Sequence, residues 1–134
     1  MSTKTVHLNW DPENEFILKD NENLQIKLKK PKGVRASDLL PMALIGCASD
    51  DIVNILGKQK QELHELNVTA DSTQDSDPPW RFRTVHIRYQ FIGKGMDADK
   101  VSKAIQLSEE KYCSVFATLR DAIKITHDFE IVEA

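Results

Sequence analysis

The sequence predicts an α+β domain. Three features carry this reading: short β-prone segments separated by turn residues in the first third, one long run of helically spaced apolar residues from Leu39 to Leu56, and a strictly alternating run from Trp80 to Ile92 with helical and strand-like segments after it. At 134 residues the chain is expected to form a single domain, 1–134, and to bury about two-thirds of the surface that its unfolded form exposes, with no need of a metal or disulfide to fold.

Thr5–Trp10 carries β-formers, and Asp11-Pro12-Glu13-Asn14 supplies turn chemistry. Glu15–Lys19 is a second short strand closed by Asp20-Asn21-Glu22-Asn23, and Leu24–Lys29 alternates apolar and polar with a period of two. Strand, turn, strand, turn, strand suggests an antiparallel meander. Pro31-Lys32-Gly33 ends it. Ser37 or Asp38 can then cap a helix, and with Asp38 as cap Pro41 falls in the first turn, where its missing N–H has no intrahelical partner to lose. Leu40, Ala43, Leu44, Cys47, Ala48, Ile52, Ile55 and Leu56 make that helix apolar on most sides, which places it inside a protein or at a subunit interface. Gly57-Lys58 ends it.

Glu62–Thr69 reads as a weaker strand and Asp71–Pro79 as a loop. In Trp80–Ile92, Val85, Ile87, Tyr89 and Phe91 share one face, and Thr84, His86, Arg88 and Gln90 the other. After the turn Gly93-Lys94-Gly95, Asp97 caps a helix running to Leu107; Ser108–Cys113 leads into a short helical pattern at Val115, Phe116 and Leu119. Strand-like segments at Ile123–His127 and Phe129–Val132 close the chain.

Twenty-one acidic and 18 basic side chains give a net charge of −3 and a pI near 5.8, which argues against nucleic-acid binding. No apolar run is expected to reach the roughly 18 residues that span a bilayer, and residues 1–20 lack a signal-peptide layout. A cytoplasmic protein with no membrane association is the expectation. The basic run Lys27-Leu28-Lys29-Lys30-Pro31-Lys32 reads as a solvated strand edge. No phosphate-binding or dinucleotide fingerprint is present, so no cofactor is expected.

Two cysteines are the one compositional feature that could carry chemistry. Cys47, mid-helix among apolar neighbours with Asp51 one turn on, reads more readily as an inert core thiol than as a reactive one, unless a basic group (Lys32, Arg35 or Arg88) approaches it. Cys113 lies between two helical patterns, where it could face a helix N-terminus that favours thiolate or could equally be buried. His7, His64, His86 and His127 sit in separate strand-like segments without metal-ligand spacing, so no metal site is expected.

Two stretches shift these odds. Ser37–Leu56, with its acidic-Leu-Leu start, Gly46-Cys47, Asp51 and the aliphatic pair Ile55-Leu56, resembles the central helix of the OsmC/Ohr family. Leu107–Val115, containing Ser108-Glu109-Glu110-Lys111-Tyr112-Cys113, is similar to the second cysteine segment of its YhfA-like branch, and Ile125-Thr126-His127 fits that branch too. The resemblance implies an OsmC-like α+β fold: antiparallel sheets around a long central cysteine-bearing helix in an intertwined homodimer. It also implies a thiol-dependent peroxidase that reduces organic hydroperoxides in oxidative stress defence and is recycled by a dithiol reductant. Cys47 would be the peroxidatic thiol and Cys113 the resolving one. Ser37 stands ten residues before Cys47, where peroxidase members of the family carry glutamate. The alternative is a non-catalytic OsmC-fold protein that binds a ligand or senses redox state.

Overall fold

The computed structural model describes all residues, 1–134. They form two compact units, Met1–Leu40 and Pro41–Ala134.

The first unit is the expected antiparallel meander: β1 (His7–Asp11), β2 (Glu15–Lys19) and β3 (Gln25–Lys27), in that order across the sheet. The turns form for local reasons. The Asp11 carboxylate accepts the Glu13 and Asn14 N–H groups at 2.9 and 2.6 Å, and the Asp20 carboxylate accepts those of Glu22 and Leu24 at 2.8 and 2.9 Å; both are short side-chain-to-backbone closures typical of aspartate. After β3, Leu28 bridges to Val34. Gly33 is required in this turn, because a Cβ there would lie 2.1 Å from the Lys27 carbonyl oxygen. Leu28 is buried, whereas Val6, Leu8, Trp10, Leu24 and Ile26 are exposed.

Asp38 does not cap the long helix as expected. A 3-10 turn, Ala36–Asp38, runs directly into α1 (Leu39–Lys58), and the Asp38 N–H donates to the Arg35 carbonyl at 3.1 Å. The initial backbone donors are thus engaged by tightening the turn. With that turn the helix covers 23 residues, Ala36–Lys58. It is therefore long and apolar enough to cross a bilayer by composition, contrary to the expectation that no run reaches that length. Between Leu39 and Gly57 its only charged residues are Asp50 and Asp51.

In the second unit, α1 buries the i, i+4 stripe Leu44, Ala48, Ile52 and Leu56. The sheet has the order β4 (Glu62–Gln74), β5 (Phe82–Lys94), β6 (Lys124–Glu133). β5 lies in the middle, and its expected apolar row Val85, Ile87, Tyr89 and Phe91 is buried. β4 pairs with it antiparallel, but β6 pairs with it parallel, with Val85 beside Ile125 and Tyr89 beside Phe129. The expected antiparallel pairing is thus extended by one parallel strand at its edge. A parallel neighbour needs a long crossover, and α2 (Ala98–Leu107) and α3 (Ser114–Leu119) supply it. The Asp97 side chain accepts the Asp99 N–H at 2.8 Å, which starts α2 as expected. Val101, Ala104 and Ile105 of α2 are buried. β4 also runs four residues beyond the expected loop boundary, to Gln74.

Candidate thiol site

The site lies wholly in the second unit and begins with helical spacing. Cys47 and Asp51 are four residues apart on α1 and so share a face. Opposite them, α2 does not stop at Leu107 but widens into a π-turn, Ser108–Tyr112, a feature often found at functional positions. The turn places the fully buried Ser108 against α1, where its hydroxyl approaches both the Ala48 carbonyl and Asp51 Oδ2 at 3.3 Å.

Cys113 ends the π-turn. Its N–H donates to the Ser108 carbonyl at 2.8 Å, its backbone is extended, and its Sγ accepts the Phe116 N–H at 3.3 Å, capping α3. Cys113 is 1% exposed, whereas Cys47 is half-buried, and both are free thiols. The two sulfurs and an Asp51 carboxylate oxygen all lie within 4.8 Å of one another, and Ser114 Oγ is 4.0 Å from Cys47 Sγ. The fold therefore brings together the two cysteines singled out in the sequence.

Their electrostatics differ in sign. Partial burial is the largest influence on Cys47 and pushes its thiol pKa up, as the Asp51 charge also does. The Val115 N–H, the Cys113 thiol and the Ser114 hydroxyl donate toward the sulfur and together hold it below the ordinary thiol value. Cys113 is pushed up to about 11 by burial first and by its bond to Cys47 next, against the Phe116 N–H. The start of α3 thus serves both sulfurs: the Phe116 N–H meets Cys113, where burial outweighs it, and the Val115 N–H supports Cys47. Of the basic residues considered for that part, Arg88 is on the opposite face of β5 from Tyr89 and pairs with Asp71 at 3.0 Å; Lys32 and Arg35 belong to the first unit.

Sequence reasoning missed three neighbours. His127 lies in the same β6 row as the apolar Ile125 and Phe129, opposite Ile87. Its Nδ1 is 2.8 Å from Glu109 Oε1 in the π-turn, and that bond leads the influences raising its pKa. The Tyr89 ring meets the His127 ring edge-on at 6.2 Å, and its buried hydroxyl has no partner. Burial first, then the Glu109 and Cys113 charges, raise the Tyr89 pKa. The available signal was parity: position 127 falls on the apolar side of its strand.

Residues 29–128 match the family described as OsmC-like protein. The chain belongs to the OsmC-like family. This OsmC-like chain is 30% identical to Protein YhfA of Escherichia coli (strain K12) over 128 residues, covering 93% of this chain and 96% of that one. Among solved structures, a hypothetical protein from Aquifex aeolicus VF5 matches with a TM-score of 0.87 at 24% identity, covering 100% of this chain and 99% of that one. The organic hydroperoxide resistance protein OhrB of Bacillus subtilis matches with a TM-score of 0.63 at 13% identity, covering 96% and 98%. At those identities the two structures show the OsmC-like fold, and the family assignment rests on the sequence matches.

Proposed function

We propose that this chain is a thiol-dependent peroxidase that reduces organic hydroperoxides, with Cys47 peroxidatic and Cys113 resolving. The observation that carries the reading is a partly exposed thiol with a lowered pKa facing, within 4.8 Å, a buried thiol with a raised one. The Cys47 thiolate attacks one peroxide oxygen, the O–O bond breaks, and the alkoxide leaves as an alcohol on gaining a proton, which makes Cys47 a sulfenic acid. The Cys113 sulfur then attacks Cys47 Sγ. The sulfenic hydroxyl departs as water with the Cys113 proton, and a disulfide remains. An external dithiol reopens it by two exchanges, becoming a disulfide itself. A high Cys113 pKa keeps this thiol protonated until the sulfenic acid forms beside it. The apolar flank of α1 favours a fatty hydroperoxide over a small polar one.

The same reading includes a homodimer acting in the cytoplasm, with the two units of each chain working as one OsmC-like domain over 1–134. The exposed Val6, Leu8, Trp10, Met42 and Val53 support a second copy as the cover for these surfaces. Loss of a lipid hydroperoxide in the presence of protein and dithiol tests the activity. A rate no higher than that of Cys47→Ser would end the proposal. The Asp51 carboxylate opposing the Cys47 thiolate favours one rival, a redox sensor, which would form the disulfide once and fail to turn over.

A further inference from the structure

The three donors that meet at the thiol site are also a ligand set for a metal ion. We propose that the reduced protein binds one zinc-class d10 ion through Cys47 Sγ, Cys113 Sγ and an Asp51 carboxylate oxygen, with the fourth coordination position open to an external ligand.

Geometry supports this first. Three atoms no more than 4.8 Å apart all lie within about 2.8 Å of a common point, so closing on an ion at bond lengths of about 2.0–2.3 Å moves each by about 0.5–0.8 Å. Donor chemistry narrows the ion. Two thiolates select soft or borderline metals over magnesium or calcium, and three protein ligands with an open fourth position match non-structural zinc sites.

The surroundings are those of a held site. The Ser108 hydroxyl donates to the Asp51 carboxylate, a supporting contact of the kind metal ligands commonly have, while the Phe116 N–H sets the direction of Cys113 Sγ. A cleft of about 390 Å³ lined by Asp51, Asn54, Lys58, Leu107 and Tyr112 gives an ion a path to Asp51. The sequence hid this set because its ligands come from segments 66 residues apart.

Starting from two protonated thiols, binding exchanges each proton for the ion, so two protons pass to solvent per zinc ion, one fewer where Cys47 is already a thiolate, and no electron moves. Neither sulfur could then attack a peroxide, so bound metal would hold the pair in a protected, inactive state. The proposal does not rest on the peroxidase reading, and its test uses no peroxide.

The test titrates reduced, full-length protein with Co²⁺, whose thiolate charge-transfer bands report sulfur ligation, and then displaces it with Zn²⁺. The expected result is one equivalent bound with those bands, displaced by one equivalent of zinc. Cys47→Ser and Cys113→Ser should each weaken binding at least tenfold, and Asp51→Asn should weaken it about tenfold while keeping the bands. Wild-type protein alkylated at Cys47 should also fail to bind, which removes any doubt about folding of the variants. Binding without thiolate bands, or binding unchanged by alkylation, would place the ion on histidines such as His64 or His86 and overturn the proposal.

Discussion

The Ser108 hydroxyl and the Asp51 carboxylate meet at 3.3 Å, tying the π-turn that carries Cys113 to the helix that carries Cys47. The same hydroxyl approaches the Ala48 carbonyl, and Ser108 is fully buried. Removing it leaves an acceptor of α1 without its partner. Ser108→Ala should therefore destabilise the protein by about 1–3 kcal/mol in urea unfolding, and should slow disulfide formation in the isolated reduced protein as the two segments loosen.

Substitutions around Cys47 should move its pKa in opposite directions. Asp51→Asn removes a charge that raises it, and Ser114→Ala removes a donor that lowers it. Alkylation rate against pH should then show a lower midpoint for the first and a higher one for the second. In the wild-type protein, Cys47 should react well before Cys113, whose midpoint lies near 11.

The proposed division of labour between the thiols has a chemical signature. Cys113→Ser should accept one equivalent of hydroperoxide and stop as a sulfenic acid, detectable by mass after trapping with a carbon nucleophile. Cys47→Ser should consume none. A Cys113→Ser variant that cycles with dithiol as fast as wild type would remove the resolving role from Cys113.

His127 should titrate above its ordinary value because the Glu109 carboxylate stabilises the imidazolium. The sign follows from linkage: a raised folded pKa stabilises the fold fully below the unfolded value, about 6.5, and that contribution fades as pH rises through the folded pKa. NMR titration should show the His127 midpoint falling in Glu109→Gln, and the stability difference between the two proteins should shrink from pH 6 toward pH 8.

Much of the fold was legible because it is locally determined. β2 has the expected bounds Glu15–Lys19, α1 ends two residues past Leu56, and Asp97 caps α2. β4 was underestimated because its far end is held by cross-strand polar pairs rather than apolar alternation: Thr73 and Thr84 hydroxyls meet at 2.6 Å and Arg88 pairs with Asp71 at 3.0 Å. The site divides the same way. Cys47 with Asp51 follows from helical spacing, whereas the pairing of Cys113 with Cys47 came only through a family resemblance; Ser108 and Glu109 were legible only as members of that segment, and Tyr89 only as a core residue. Their roles depend on how the π-turn docks, which no short-range pattern encodes. For Cys113 the sequence left a helix-facing and a buried sulfur equally open; the structure has both at once, and the share of the α3 start that supports Cys47 depends on the same docking.

The parallel pairing of β6 with β5 constrains how this site can change. β6 begins beside Thr84, near the start of β5, although the chain leaves β5 at Lys94. The link must travel back the length of the strand, about 30 Å at about 3.3 Å per residue, and Cys113 rides on that return path. Shortening or lengthening α2 would therefore carry the second thiol along the sheet, away from a first thiol anchored elsewhere. Loop insertions elsewhere would be absorbed locally, but the crossover acts as a fixed-length arm whose reach decides whether the two sulfurs meet.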